Sequence, residues 1–599
     1  MNWLKGQCTL IKIPWRIHKV YTSLYILLRI LLGLLPSFYV IAYASFINNI
    51  LSLYSGEIGY RELSPALLWI AALSLFSYLS GNLIAYISMK LRIELNSVLK
   101  IESIQKRSKL KYELIENKDS WDLIYRTVNN MPDQITSGFI NLFDLVELVI
   151  KITSITVIIS TFSLVAASII LVCFIPIVLV SIRSGEEGYD SFVQFQKVQR
   201  RLDNYENVLV SKDYADERTI FNYSSWLSKR WQVTYKQAIT IFLNIKKKFY
   251  IRVKFTSFII TVIFLGIIFV LMKLTIDSTI SLGLFTATVM QLLELGSKIS
   301  WRLSTIIYQI ANSNNYMKDY LRFYGLEENS DISAPVRLDR VEHIEFQNVS
   351  FRYPGNEEYT LKNINLKLNS EETYAIVGEN GAGKSSLIKL ILKLYDGYEG
   401  RIFINGVDLR EIDNISSLFS TVFQDYAKYE ISIIENILFS NNESLDKSEV
   451  LSLFEHLNFP IHSKRFSKGL DTELGRLTGK NNDLSIGQWQ KLAMIRAIAQ
   501  EGKYYILDEP TAALDPVAEA SIYKDFIKIL SGNPSIIITH RLGAARLADK
   551  IIVISHGTIA QMGTHDELLI NGGIYKEMHE NQRMWYNDEE RSVLQGNAS

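Results

Sequence analysis

Residues 373–386 read TYAIVGENGAGKSS, an apolar run followed by three glycines, a lysine and two serines. The apolar run is typical of a buried strand, and the residues after Ser386 are typical of a helix. Glycines between a strand and a helix let backbone N–H groups surround phosphate oxygens, while the lysine neutralises them and the serine hydroxyl can hold Mg²⁺. The stretch therefore predicts a phosphate-binding loop, formed by Gly378, Glu379, Asn380, Gly381, Ala382, Gly383, Lys384, Ser385 and Ser386.

A second apolar run ends in two carboxylates. Residues 504–509 read YYILDE, which predicts a buried strand with Asp508 and Glu509 at its end. At such a position Asp508 can hold Mg²⁺, and Glu509 can orient and activate a water molecule. The alternative, two unrelated carboxylates that face solvent, is disfavoured by the phosphate-binding loop upstream.

A third motif lies between these two. Residues 484–488 read LSIGQ and open an apolar helical pattern that begins at Trp489. A helix amino terminus that carries a serine and a glycine is a ready site for an anion. The motif therefore predicts a second set of phosphate contacts.

In their order along the chain, these motifs resemble the full set of an ABC ATPase. Four further features complete the set: Gln424 after the predicted strand 420–423, an ALD tripeptide ending at Asp515, His540 after residues 536–539, and Tyr353. Tyr353 resembles the aromatic residue that stacks on adenine in that family. The resemblance thus implies that the substrate is ATP.

The resemblance also assigns roles to individual residues. It implies that catalysis depends on Glu509, His540 and Gln424. It implies that Mg²⁺ is held by Ser385, Gln424 and Asp508. In the family, the signature of one subunit completes the ATP site of the other, which implies contacts in trans from Ser485, Gly487, Gln488 and Asp515.

The first 310 residues contain six apolar segments long enough to cross a bilayer, which needs about 20 residues per helix. They lie at 23–49, 66–89, 140–159, 164–182, 255–276 and 282–310. The short connections after the third and fifth segments predict hairpins, whereas the long connections are rich in Lys and Arg. By the positive-inside rule, the long connections and both chain ends are predicted to be cytoplasmic.

The overall composition excludes other classes of protein. The chain has 599 residues with 63 Lys+Arg and 62 Asp+Glu, a net charge of +1, which gives no electrostatic reason to expect a nucleic-acid partner. Its two cysteines, Cys8 and Cys173, cannot form a disulfide framework or a cysteine-ligated metal site.

Charged residues interrupt several of the apolar segments. Within each cluster the spacing places the charges on one helical face, which lipid would penalise. The charges are Arg29, then Asp144, Glu147 and Lys151, then Glu294, Lys298 and Arg302. Two interpretations stay open: a polar cavity for a solute with charged parts, or helices that extend beyond the bilayer and pair their charges with each other.

The whole chain resembles an ABC exporter half-transporter, a membrane domain of six transmembrane helices followed by an α/β P-loop ATPase domain. The predicted boundaries are 1–326 for the membrane domain, 327–342 for a linker, 343–580 for the ATPase domain and 581–599 for a polar tail. One chain carries one motif set, so the resemblance implies an intertwined homodimer with two equivalent ATP sites. We expect a multi-pass protein of the bacterial plasma membrane with its ATPase domain in the cytoplasm.

Two residues depart from the family pattern. Ile486 stands where family signatures have Gly, which predicts at most slower or altered hydrolysis, and Arg476 stands where an acidic residue is common.

Two aromatic-containing stretches, 117–124 and 212–220, are candidates for coupling the membrane domain to the ATPase domain. They could dock into the ATPase domain near Gln424, or could hold ordinary packing residues.

The sequences around Gln424 and Asp515 look most like those of peptidase-less exporters of modified peptides, the lantibiotic type. Only about 20 residues precede the first apolar segment, too few for a peptidase domain, so a leader is expected to be removed elsewhere. The alternatives are a multidrug or lipid exporter and an ATP-gated channel or sensor. The expected partners are a second copy of the chain, peptide or amphipathic cargo, membrane lipid and peptide-modification enzymes.

Overall fold

The computed structural model describes residues 2–298, 302–329, 336–438, 446–475, 482–500, 502–509, 524, 526, 528 and 532–586. The chain divides into two compact units. The first comprises Met1–Leu110 and Lys118–Glu328, and the second comprises Lys111–Asn117 and Asn329–Ser599. The sequence-based boundaries had placed all of 1–326 in the membrane domain, whereas the short segment Lys111–Asn117 groups with the second unit.

Long helices build the first unit. The helices up to residue 324 are α1 (Asn2–Ile17), α2 (Lys19–Tyr54), α3 (Ser64–Ser108), α4 (Tyr112–Glu116), α5 (Lys118–Val128), α6 (Met131–Ser160), α7 (Leu164–Val210), α8 (Ala215–Phe221), α9 (Ser224–Ile276), α10 (Leu282–Lys298) and α11 (Ser304–Tyr324). Of these, α4 belongs to the second unit. The first five predicted apolar segments lie within α2, α3, α6, α7 and α9, and the sixth is divided between α10 and α11, with residues 299–301 outside the described residues.

By length and composition, two helical stretches of the described residues could cross a membrane, Lys19–Tyr54 and Tyr60–Ser108. Shorter apolar helices occupy Thr261–Ile276 and Leu282–Gly296. In the second stretch only 11% of the apolar window is buried inside the structure, which leaves Leu68 and Trp69 mostly exposed. An exposed apolar surface of this kind is typical of an interaction surface such as one that faces lipid. The number of six spans stays a prediction.

The second unit contains two sheets. An antiparallel sheet has the order β2-β1-β4-β5, and a mainly parallel sheet has the order β10-β9-β3-β8-β7-β6. The strands are β1 (His343–Phe351), β2 (Leu361–Asn369), β3 (Thr373–Gly378), β4 (Tyr398–Ile404), β5 (Val407–Asp408), β6 (Phe419–Val422), β7 (Tyr504–Asp508), β8 (Ser535–Ile538), β9 (Lys550–Ser555) and β10 (Thr558–Gly563).

Helices cover the parallel sheet. They are α12 (Lys384–Ile391), α13 (Ile415–Leu418), α14 (Ile433–Leu438), α15 (Lys447–His456), α16 (Ile486–Ala499), α17 (Leu542–Ala545), α18 (His565–Asn571) and α19 (Ile574–Tyr586). The predicted boundary at 580 cuts α19, so residues 581–586 are helical rather than part of a tail. Every residue of β7 and β8 is buried, as expected when both faces of a parallel sheet are covered.

The register of the parallel sheet fixes where the motifs meet. β3 and β7 both pair with β8 in parallel, with Ile376 and Asp508 each opposite Ile538. The phosphate-binding loop, the two carboxylates and His540 therefore leave the sheet at the same edge. Ligands of open α/β sheets bind at this carboxyl edge.

Candidate functional site

The loop after β3 requires its glycines. Gly378 and Gly383 have φ angles of +155° and +105°, in the region that favours glycine. A Cβ atom at Gly378 would lie 2.1 Å from the carbonyl oxygen of Ile554, and one at Gly383 would lie 2.7 Å from Leu361 Cδ2. Neither position has room for a side chain. Glycine at both positions therefore allows the tight turn of the backbone that leads into α12.

Lys384, the first residue of α12, is buried inside this loop. Its Nζ donates hydrogen bonds to the carbonyl oxygens of Gly378 and Glu379, at 3.1 and 2.9 Å. Burial lowers the pKa of the lysine, because the charged form is poorly solvated there. The ammonium group therefore lies within the loop where phosphate oxygens would neutralise it.

Two hard oxygen donors lie next to each other beside the lysine. The Ser385 hydroxyl donates to Asp508 Oδ1 at 3.2 Å, which joins the start of α12 to the end of β7. Burial raises the pKa of Asp508, because the carboxylate has lost much of its hydration.

Glu509 lies between the two other predicted catalytic residues. Its Oε1 is 2.5 Å from His540 Nε2, and its Oε2 accepts a hydrogen bond from Gln424 Nε2 at 3.2 Å. The backbone of Glu509 has a φ of +45°, which is uncommon for a residue other than glycine and is concentrated at functional sites. The structure thus brings Gln424, Glu509 and His540 together at one point.

One residue of this cluster was missed by the sequence analysis. The side chain of Gln582, on α19, donates to the carbonyl oxygen of His540 and accepts from the backbone N–H of Leu542 at 2.9 Å. It fixes the turn that carries the imidazole. Because Gln582 lies in the stretch predicted to be a tail, no local pattern indicated this contact.

Tyr353 contacts the phosphate-binding loop and a cluster of other aromatic residues. Its hydroxyl lies 2.8 Å from Ser386 Oγ, and its ring meets those of Phe351 and Tyr395 edge to face. The Lys389 ammonium lies 5.5 Å from the centroid of the Tyr353 ring.

The short helix α4 packs beside this aromatic cluster. Glu116 accepts hydrogen bonds from the Tyr395 hydroxyl and, at 3.1 Å, from Lys389 Nζ. Of the candidate coupling stretch 117–124, Asn117 groups with the second unit and the rest with the first, so docking near Gln424 and ordinary packing both stay open as interpretations. Ile124 of α5 is buried in a core cluster of the first unit.

The signature motif forms a capped helix start. The Ser485 hydroxyl accepts from the Gln488 backbone N–H at 3.2 Å, and the Gln488 side chain accepts from the Ser485 N–H at 3.0 Å. Ile486 points outward and is 58% exposed. Among the described residues, no hydrogen bond connects Ser485, Gly487 or Gln488 to the phosphate-binding loop; Asp515 and Arg476 lie outside the described residues.

Comparisons with known proteins show the family of this chain. A family model described as ABC transporter matches residues 361–512. The subtilin transport ATP-binding protein of Bacillus subtilis is 32% identical over 85% of this chain and 83% of its own length. The chain belongs to the ABC transporter family. This ABC transporter therefore binds and hydrolyses ATP, and couples the hydrolysis to transport.

Other similar proteins match different shares of the chain. The nisin transport ATP-binding protein of Lactococcus lactis is 29% identical over 97% of the transporter chain and 96% of its own length. The lipid A-core flippase of Salmonella typhimurium is 35% identical, but over 40% of the chain. A solved bacterial Atm1-family ABC exporter with ATP bound has a TM-score of 0.75 over 94% of this chain and 99% of its own, at 21% identity, which shows the exporter fold.

The first unit of the transporter has a second candidate site. Arg29 of α2 lies 2.6 Å from Asp144 Oδ1 and 2.6 Å from Glu147 Oε2 of α6. Glu147 also pairs with Lys151, and Arg302 donates to Asp144 at 3.1 Å. A cavity of about 400 Å³ adjoins this cluster, and its polar lining includes Arg29, Glu147, Lys151, Gln291, Glu294 and Arg302. The charges thus pair with each other and also line a cavity, and both interpretations stay open.

Proposed function

We propose that this protein is an ATP-driven exporter of a ribosomally made, modified peptide of the lantibiotic type. The observation that carries the proposal is the extent of similarity to two lantibiotic transport proteins, over 85% and 97% of the chain. Similarity to the lipid A-core flippase covers 40%, and it is thus less informative about the cargo.

The protein works, in this proposal, as a homodimer in the bacterial plasma membrane. Six spans per chain, with the ATPase unit in the cytoplasm, are supported by the long apolar helices and by the basic connections between them. Ser485, Gly487, Gln488 and Asp515 of one subunit would contact the ATP on the phosphate-binding loop of the other. The position of Ser485 at the amino terminus of α16 supports this role, because a helix amino terminus favours an anion.

The residues at the carboxyl edge fit a Mg²⁺ ion. Ser385 and Asp508 offer adjacent hard oxygen donors, and the Gln424 side chain is a third candidate. The described residues contain no group of three or more His, Cys, Asp or Glu that could hold a metal by itself, so phosphate oxygens would complete the coordination. When bound, Mg²⁺ would neutralise charge on the β- and γ-phosphates.

The remaining residues divide the chemistry of hydrolysis. Lys384 holds the β- and γ-phosphate oxygens, and Tyr353 stacks on adenine. Glu509 orients and activates the attacking water, while His540 and Gln424 keep its carboxylate aimed at that water. ATP binds the closed dimer more tightly than the open one, so ATP binding favours closure and hydrolysis allows the dimer to open again. This difference in affinity drives alternating access.

The charged cavity of the first unit is a candidate for part of the cargo path. Ionisable residues within membrane helices are costly and mark solute pathways when they face a cavity. The cavity carries both signs of charge on its walls. A peptide with charged side chains would find partners there, whereas an apolar drug would not.

We expect Arg29→Met to destabilise the first unit strongly. The side chain of Arg29 is 10% exposed, and its loss would leave Asp144 and Glu147 short of a partner. Removing one member of a buried ion pair costs about 3–5 kcal/mol. A thermal melt of the detergent-solubilised protein should show earlier unfolding.

The matched control for this substitution is Arg16→Met. Arg16 pairs with Glu102, but its side chain is 59% exposed, and exposed pairs contribute at most about 1 kcal/mol. Equal melting temperatures for the two variants would show that the buried cluster does not stabilise the fold.

A deletion strain tests the proposed cargo class. In the producing bacterium, removal of this gene should cause a modified, leader-bearing precursor peptide to accumulate in the cytoplasm, as detected by mass spectrometry. Complementation with the intact gene should restore export. Normal peptide export together with a changed lipid or dye distribution would instead favour the lipid or multidrug alternative.

A further inference from the structure

A tyrosine close to Gln424 contacts the signature motif. Tyr426 lies two residues after Gln424, and its hydroxyl donates a hydrogen bond to the carbonyl oxygen of Ile486 at 3.1 Å. Ile486 is the first residue of α16 and directly follows Ser485. The contact uses only the main chain of Ile486, so the unusual side chain at that position does not disturb it.

The Tyr426 side chain is well placed to act as a fixed donor. It packs against the core cluster that contains Leu484, the first residue of the signature, and Trp489, which directly follows it. Burial raises the pKa of its hydroxyl, which therefore stays protonated and able to donate. Phe at this position would keep the packing and lose only the hydrogen bond.

The residues that follow Tyr426 are hydrogen-bonded to Arg496, near the carboxyl end of α16. Arg496 donates to the carbonyl oxygens of Ala427 and Asn436, at 3.2 and 3.0 Å, and its guanidinium lies 4.7 Å from the centroid of the Tyr429 ring. The Asn436 side chain in turn donates to the carbonyl oxygen of Tyr429 at 3.1 Å. These contacts hold the loop against α16, and the Tyr426 hydroxyl supplies its hydrogen bond to the signature.

The other end of this loop is in contact with the hydrolysis site. Gln424 donates to Glu509, so the three residues from Gln424 to Tyr426 connect the catalytic carboxylate with the start of α16. A shift of Gln424 when the γ-phosphate arrives would therefore be carried to Ser485 by a short, tethered stretch of chain. Coupling of this kind needs a physical link between the two sites, and the hydrogen bond supplies one.

We propose that Tyr426 is a positioning residue, which sets the signature turn at Ser485 according to the position of Gln424. This role rests on the functions proposed above for Gln424 and Ser485. Because Ser485 would serve the ATP of the partner subunit, Tyr426 would connect the two ATP sites of the dimer.

The test is Tyr426→Phe in the full-length protein, reconstituted in lipid nanodiscs. A hydrogen bond of this type contributes enough to change a rate about three- to tenfold, and we expect kcat for ATP hydrolysis to fall by that factor. The Kd for ATP, measured in the Glu509→Gln background with and without Tyr426→Phe, should stay the same. The melting temperature should also stay the same.

Tyr359→Phe is the matched control. Tyr359 is also half-buried, and it too donates one hydrogen bond, to Glu399 in the antiparallel sheet. We expect wild-type kcat for this variant. An unchanged kcat in Tyr426→Phe, or a fall in kcat accompanied by weaker ATP binding, would overturn the proposal. Failure of the peptide-export proposal would appear separately, as wild-type ATPase activity without peptide transport.

Discussion

Replacing Glu509 by Gln is expected to leave ATP binding intact and to lower ATP turnover about a thousandfold, because general base catalysis contributes about 10²–10⁴ to a rate. Glu509 is the carboxylate that lies between His540 Nε2, at 2.5 Å, and Gln424 Nε2, at 3.2 Å. The amide of Gln has nearly the same shape, so the loop around Lys384 and the Ser385–Asp508 contact should persist. Only the ability to accept a proton from water is lost.

The measurement is steady-state ATPase activity together with ATP binding on the reconstituted protein. Glu371→Gln is the matched control, since Glu371 is exposed and lies at the opposite end of β3 from the phosphate-binding loop. Near-normal turnover in Glu509→Gln would refute its assignment as the base. A loss of ATP binding in that variant would place Glu509 in nucleotide binding instead.

Lys384→Ala is expected to weaken ATP binding about a hundredfold or more, since each charge-assisted hydrogen bond contributes about 1.5–3 kcal/mol. Lys384 is 5% exposed and already donates to the carbonyl oxygens of Gly378 and Glu379. Its charge is therefore held inside the loop before phosphate arrives. Alanine would leave those carbonyl oxygens without a donor and the phosphates without a cation.

Equilibrium binding of ATP measures this effect, because it separates affinity from the chemical step. Lys367→Ala, at an exposed position of β2, should bind ATP like the wild type. If Lys384→Ala binds ATP with unchanged affinity, the glycine-rich loop does not hold the phosphates in the way proposed.

The ATPase motifs could be predicted from the sequence because their geometry is local. A strand, a run of glycines and a helix start determine the loop from Gly378 to Ser385, and the apolar run before Asp508 determines where that carboxylate leaves the sheet. Parallel strands then place these groups at one edge without further information.

The contacts missed by the sequence analysis connect residues that are far apart along the chain. The spacing of Asp144, Glu147 and Lys151 predicted one charged helical face, but their partner Arg29 is 118 residues from Glu147. Gln582 likewise contacts His540 from a helix 42 residues later. Polar pairs of this kind leave no periodic signal, because each needs only one residue of the right type at one place.

The candidate coupling stretch 117–124 shows a similar limit of sequence analysis. Trp121 was compatible with docking and with ordinary packing; in the structure α5 buries Ile124 in the first unit, and the centroid of the Trp121 ring lies 5.7 Å from the guanidinium of Arg107. The preceding helix α4 carries Tyr112 and Glu116, which contact Tyr395 in the second unit. An amphipathic pattern shows that a face is buried, but not which unit buries it.

ATP-dependent transport of a modified peptide tests the account most directly. The purified protein would be reconstituted in inside-out proteoliposomes and given leader-bearing subtilin as the probe. We predict peptide accumulation in the lumen with ATP for the wild type, and none for Glu509→Gln. Active ATP hydrolysis without peptide accumulation, together with transport of lipid or dye by the same vesicles, would contradict the proposed function.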